Sequence, residues 1–396
     1  MATDFKSTVA TALEKKEIAG GAVIAVDREG KELIRHAFGK TSLEEDARPF
    51  DFDTTFWIAS STKLLTSISA LQCVEKGLLK LDEDISVVLP EWQDPQIITG
   101  FDDAGKAQLT PAKETITLRR LLTHSSGMAY YFMNPLVTQW RDSQKLPVGT
   151  GEMSEFKNPL IFEPGSSWSY GVSIDWAGAL LEKVTGMKLG EYMQKHIFEP
   201  LGMTHTTFQA ENNEAMMSRM VGRVGRNPVG ELIKEESGQH PVKNNKDDHG
   251  GSGLYSCAQD YIKVLTSLLL DDGKLLKGDM YKELFRGQLE HPEAFTAAVT
   301  DPIFGQFFAP AFGASRGDDT KWDYALGGAI VDKEVPGQAA KGTLFWSGLP
   351  NNYWFVDREN GVCGYYASWL LPAGDAITGN MFAALQRAAV KEVAKL

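Results

Sequence analysis

Serine is a weak nucleophile at its own pKa and attacks an acyl carbon only when a base within hydrogen-bond reach takes its proton. The run Ser60-Ser61-Thr62-Lys63 places an amine one helical turn from a hydroxyl, a spacing at which side chains meet on a helix. Such a lysine works as a base when burial destabilises its ammonium. The bare S-x-x-K pattern is weak evidence, because about one or two copies arise by chance in a chain of this length. Ser154-Glu-Phe-Lys157 is a second copy. Context separates the two: Ser60 follows Phe56, Trp57, Ile58 and Ala59 and opens an apolar helix that would desolvate Lys63, whereas Ser154 lies in a polar, loop-like stretch. On pattern alone, Ser60 reads equally well as an N-cap residue with Lys63 solvated. Ser315, in Gly313-Ala-Ser-Arg-Gly317, matches the G-x-S-x-G nucleophile elbow. The elbow needs a helix after it, and Asp318-Asp-Thr-Lys321 is polar and helix-poor, so a surface or cleft-edge loop is the expectation there. His124 invites a Ser-His-Asp reading, but a turn histidine near a helix end is read as structural.

The elements around Ser60 follow from periodicity. Lys63, Leu64, Ile68, Leu71 and Val74 recur at helical spacing and stop at Lys76-Gly77. Before them, Phe5, Val9, Ala12 and Leu13 predict an amphipathic helix ending near Ala19 and Gly20, followed by a hairpin over 21–26 and 32–38. The middle of the chain reads as helical, with segments over 118–122, 174–184 and 261–270 joined by long loops such as 142–155. The polar stretch 227–251 reads as irregular. Beyond Leu326 four short strands return, over 328–331, 342–346, 353–357 and 362–367, and Phe382, Leu385, Ala389 and Val393 mark a closing helix. The expected fold class is therefore α+β: an antiparallel sheet flanked by the N- and C-terminal helices, with a mostly helical lobe inserted. Residues 1–59 and 281–396 would form the α/β sheet lobe and 60–280 the helical lobe, with the Ser60 helix at the cleft between them.

Bulk properties narrow the partners. With 396 residues, 43% hydrophobic and 23% charged, the chain has globular composition. Its net charge of -12 argues against nucleic acid or an anionic membrane. Three scattered cysteines, Cys73, Cys257 and Cys363, without a C-x-x-C pair, point to a reducing compartment and no structural zinc. The N-terminus carries no apolar signal region, and no run reaches the roughly eighteen apolar residues of a membrane span, so a cytoplasmic location is expected.

Four runs, in order, carry a resemblance: Trp57-Ile-Ala-Ser-Ser-Thr-Lys-Leu-Leu-Thr66, Ile116-Thr-Leu-Arg-Arg-Leu-Leu-Thr-His-Ser-Ser-Gly127, Phe162-Glu-Pro-Gly165 leading to Tyr170, and Gly250-Gly-Ser-Gly-Leu-Tyr-Ser256 with Asp260 and Tyr261. They resemble the serial signatures of class C β-lactamase-like serine hydrolases over nearly the whole chain. Within that group the chain is similar to the esterase branch, family VIII carboxylesterases, and to fungal statin acyltransferases and esterases of the lovastatin type. The segments 70–74, 99–105 and Tyr130-Tyr-Phe-Met-Asn-Pro135 add to that similarity. The resemblance implies a β-lactamase/transpeptidase-like fold. It also implies an acyl-enzyme formed on Ser60, with Lys63 taking its proton and Tyr170 relaying protons to the leaving group and from the incoming water or alcohol.

The third family motif falls on Trp346-Ser347-Gly348. It implies an oxyanion hole from the backbone N–H groups of Ser60 and Leu349, with Gly348 permitting close backbone approach. The aromatic run Tyr130 to Phe132, after Gly127 and before Pro135, reads as core or as a cleft-edge loop against the substrate, the latter favoured, and Trp346 carries the same two readings. Two departures tell against β-lactam turnover. Trp346 stands where lactamases resemble one another in a lysine, and Tyr170-Gly171-Val172 lacks the asparagine two residues after the tyrosine. An indole in place of an ammonium favours neutral, bulky, hydrophobic esters over a substrate carboxylate. The expected activity is carboxylic-ester hydrolysis, needing no metal or organic cofactor, on a small-molecule ester. The same residues would serve an acyltransferase of secondary metabolism if an alcohol or a separate acyl donor replaces water in the cycle. A silent ligand-binding protein of the same fold is the remaining alternative.

Overall fold

The strand signals at the two ends of the chain converge on one sheet. In the computed structural model, which describes residues 2–235, 245–301, 305–307 and 322–395, helix α1 (Ala2–Glu14) leads into the hairpin β1 (Gly20–Asp27) and β2 (Glu32–Gly39). Much later come β3 (Trp322–Tyr324), β4 (Ala329–Val331), β5 (Leu344–Gly348), β6 (Asn352–Asp357) and β7 (Val362–Ala367). Their order is β2-β1-β7-β6-β5-β4-β3, with every neighbouring pair antiparallel. The junction of the two chain ends is the β1–β7 ladder, from Ala22 opposite Ala367 to Asp27 opposite Val362.

Strands β6 and β7 are buried at every residue, which requires cover on both faces. Alternation of side chains assigns the faces. Tyr353 stacks on Phe382 of the closing helix Ala376–Val393, whereas Tyr365 stacks on Tyr261 of the helix Ala258–Leu270. Tyr353 pairs with Tyr366, so Tyr365 points to the opposite face, and the two helices sandwich the sheet. Between the sheet segments run α2 (Thr62–Glu75), α3 (Leu118–Leu122), α4 (Pro135–Gln144), α5 (Ser173–Thr185) and α6 (Ala258–Leu270), with α7 (Ala376–Val393) last among the labelled helices. Helix α2 is buried from Thr62 to Cys73 and packs against α5.

Several expected boundaries move. Helix α1 stops at Glu14 rather than near Ala19, because Lys16 turns left-handed (φ 55°) and the strand already pairs from Gly20. The loop expected over 142–155 begins inside α4, whose N-cap Asn134 accepts from the N–H groups of Leu136 and Val137 with Pro135 at its first position. The stretch 227–251 is not wholly irregular: Leu232–Lys234 pairs with Val224–Arg226 around a turn in which Asn227 Oδ1 accepts from Val229 and Glu231. Residues 236–244 of it lie outside the described residues. The helical middle also holds the hairpin Gln96–Phe101 and Ala107–Pro111, and a further edge strand, β3, precedes Leu326. Among the described residues no helix is long and apolar enough to cross a membrane.

Candidate active site

Ser60 sits in a single 3-10 turn, Ala59–Ser61, at the mouth of α2. Ala59 adopts a left-handed φ of 46°, an unfavourable conformation for a residue with a Cβ, so the surroundings must hold it. They do so from two sides. The run 250–256 brackets the turn: Phe56 pairs with Ser256, the Ile58 N–H donates to Leu254 O, the Leu254 N–H donates to Thr62 Oγ1, and Thr66 Oγ1 donates to Gly250 O. From the sheet, Ser61 Oγ donates to Asn352 Oδ1 at 2.6 Å, and Tyr261 of α6 donates to Ser61 O at 2.8 Å. The half-buried Ser60 is thereby fixed at the positive end of α2.

Lys63 lies one turn on and is 1% exposed. Its Nζ donates to Ser60 Oγ at 3.2 Å, to Tyr130 Oη at 3.1 Å and to Gly251 O at 2.8 Å. It also stands 4.5 Å from the centre of the Tyr170 ring. Tyr170, just before α5, accepts from Trp346 Nε1 at 3.2 Å, and its ring packs against those of Tyr130, Trp346 and His124. Burial, with Asp175 and the tyrosines Tyr170 and Tyr324 adding to it, pushes the Tyr130 phenol well above its ordinary pKa. Tyr130 thus remains a neutral partner of Lys63.

Gly348 ends β5 directly against the segment that carries Ser60. A Cβ there would stand 2.1 Å from Ile58 O, so only glycine allows the strand this close. Leu349 follows, half-buried, and Trp346 is 1% exposed in the wall. Ser60, Lys63, Tyr130, Tyr170, Trp346, Gly348 and Leu349 therefore gather around one point. Ser154 and Lys157 do not: Lys157 sits with its Nζ 3.6 Å from the centre of the Trp92 ring. Ser315 lies outside the described residues. His124 is fully buried, and among the described residues neither ring nitrogen has a hydrogen-bond partner. Burial, and then the nearby Lys63, push its pKa well below the usual value, so it is a neutral packing group beside Tyr170.

Sequence reading assigned no role to Gly251 or Asp175, although Gly251 stands inside one of the four runs that carried the resemblance. One cluster with metal-ligand chemistry occurs among the described residues: donor atoms of Asp53, His205 and Cys257 lie within 4.8 Å of one another. Arg219 already pairs with Asp53 at 3.3 Å, and Thr204 engages His205 Nδ1 at 3.0 Å.

The profile of the beta-lactamase family matches residues 5–388. The chain belongs to the beta-lactamase family. Among its relatives is the lovastatin esterase of Penicillium rubens, 37% identical over 368 residues and 90% of each chain. Another is the ML-236A carboxylate methylbutanoyltransferase of Penicillium citrinum, 34% identical over 99% of this chain and 95% of that one. The solved simvastatin synthase LovD6 mutant from Aspergillus terreus superposes with a TM-score of 0.92 at 31% identity, covering 100% of this chain and 98% of that one. The β-lactamase/transpeptidase-like fold and membership of the esterase and acyltransferase branch of the family both hold. The chain is an enzyme, not a silent binding protein.

Proposed function

We propose that the protein is a serine esterase working through an acyl-enzyme on Ser60, and that its substrate is an ester of a bulky, hydrophobic small molecule of the statin kind. The contact of Lys63 Nζ with Ser60 Oγ at 3.2 Å, inside a buried aromatic shell, carries this reading. As Oγ bonds to the ester carbonyl carbon, its proton passes to Lys63 Nζ. The tetrahedral oxyanion would lie between the N–H groups of Ser60 and Leu349. The bond to the leaving alcohol breaks as Tyr170 donates its proton, and the Lys63 ammonium reprotonates Tyr170. Water then attacks the acyl group by the same path in reverse, and Ser60 recovers its hydroxyl. The neutral Trp346 in place of an ammonium supports an uncharged substrate group beside Tyr170.

The second reading, acyl transfer, rests on the density of rings around Tyr170. Tyr130, Trp168, His124 and Trp346 surround it, and a dry, aromatic site favours an alcohol acceptor over water. The similarity to both a lovastatin esterase and a methylbutanoyltransferase supports statin-like partners for either reading. The division into a sheet lobe (1–59 and 281–396) and a helical lobe (60–280) belongs to the same proposal, as does a cytoplasmic location. Three buried free thiols support the latter.

The test is hydrolysis of p-nitrophenyl esters from acetate to octanoate, with a statin ester and a competing alcohol as second substrates. Ser60→Ala should lower kcat/KM by about 10³-fold or more, with fluorophosphonate labelling lost at the same time. Undiminished turnover in Ser60→Ala would overturn the mechanism. The ratio of alcohol-trapped to hydrolysed product separates the two readings.

A further inference from the structure

Helix α5 carries a carboxylate that the steps above do not use. Asp175 is 1% exposed, and its Oδ1 accepts from the Gly251 N–H at 2.9 Å. The Gly251 carbonyl, on the other side of the same α-carbon, is the 2.8 Å acceptor of Lys63 Nζ. The approach is so close that a Cβ on Gly251 would stand 2.4 Å from Asp175 Oδ2, and that oxygen has no hydrogen-bond partner among the described residues. An isolated carboxylate is costly to bury unless a positive charge compensates it.

We propose that Asp175 is a positioning residue for Lys63: its carboxylate fixes the Gly251 peptide against the lysine and stabilises the ammonium that forms when Lys63 takes the Ser60 proton. The inference rests on the reading of Lys63 as the base for Ser60. The physical role parallels a buried carboxylate behind any catalytic base, which favours the base's protonated form without itself taking the proton. The groups facing the pair come from several elements. Tyr130, Tyr170 and His124 surround Lys63, whereas His249, on the segment leading to Gly251, acts on Asp175. Burial pushes the Asp175 carboxyl up, while His249, Lys63 and the Gly251 N–H hold it down. His124 is neutral, so among these groups Lys63 and His249 are the candidates for compensating charge.

The sign of the pH effect follows. A nearby anion favours the protonated form of a base, so removing it should move the acid limb of kcat/KM to lower pH. For Asp175→Asn, which keeps the acceptor and the shape, we expect a shift of about half a pH unit or more. We also expect kcat to fall about tenfold or more at neutral pH, with KM within about twofold, because Asp175 touches no substrate. Asp175→Ser, smaller and equally uncharged, carries the same expectation should the Asn variant not fold. A variant that melts near the wild-type temperature and keeps the wild-type acid limb would overturn the proposal, whether because Asp175 is only a scaffold or because it is already protonated. Failure of the underlying reading shows separately, as an active wild type whose Ser60 is not labelled by a fluorophosphonate.

Discussion

A lysine that is 1% exposed, touching a serine, a phenol and a carbonyl, is an unusual side chain, because burying an ammonium costs several kcal/mol unless partners replace its water. Two tyrosines share that work unequally. Tyr130 Oη accepts from Lys63 directly, whereas Tyr170 presents its ring to Lys63 and its hydroxyl to the Trp346 indole. Tyr130→Phe should therefore lower kcat for p-nitrophenyl butyrate about tenfold by releasing one anchor of Lys63. Tyr170→Phe should lower it by about 10² to 10⁴ if Tyr170 carries the leaving-group proton. A larger loss in Tyr130→Phe than in Tyr170→Phe would reverse the assignment. Ser60 and Lys63 were legible because their spacing and apolar approach have a chemical meaning. The Tyr130–Lys63 contact was not, since 67 residues separate the partners and only folding closes the gap.

At the scale of elements, the site is a meeting of a helix mouth with a strand end. The strand β5 approaches so closely that Gly348 leaves no room for a methyl group, and Ser61 is tied to Asn352 of β6. Gly348→Ala should push β5 from the Ser60 turn and cost about 10²-fold in kcat, with a lowered thermal midpoint, because misplacement of about 1 Å has that effect on catalysis. A variant with unchanged kinetics would mean that this strand end does not set the geometry. Strands β6 and β7 were read correctly from their apolar, β-branched and aromatic runs. β3, Val224–Arg226 and Leu232–Lys234 were not, because they mix polar residues or glycine into three positions, unlike the apolar Ala329–Val331, and owe their pairing to neighbours. Helix α4 was missed although Asn134-Pro135 is a good start signal, because its largely polar sequence carries only a few apolar residues at helical spacing.

The molecule as a whole is held by contacts distant in sequence. The β1–β7 ladder joins residues 22–27 to 362–367. A second tie is ionic. Glu283 accepts from Arg286 at 2.6 Å, from Gln288 at 2.9 Å and from Arg119 of α3 at 3.2 Å, while Arg119 also binds Asp82 at 2.7 Å. The hydrogen bond from Arg286, first among these, holds the Glu283 carboxyl down to about 2. A depressed carboxylate stabilises the fold above its unfolded pKa of about 4.3. That contribution fades as pH falls from there toward about 2. Glu283→Gln should thus lower the urea midpoint slightly at pH 7, and its difference from wild type should shrink on acidification to pH 3 and in high salt. A difference that stays constant across that pH range would show that the network contributes through packing alone.

By itself the sequence determined the class of fold and the family, and it singled out Ser60 and Lys63 as the proposed nucleophile and base. Each rests on local information: a four-residue spacing, runs of alternating or helical period, and short motifs in a fixed order. Only the tertiary structure decided which groups surround Lys63. Tyr130, Gly251 and Asp175 reach the site from a loop, a turn and a helix that share no sequence neighbourhood, and hydrogen bonds and burial act through space rather than along the chain. The same reason explains why Trp346, read as a wall for the substrate, also proved to be the donor that holds the Tyr170 hydroxyl.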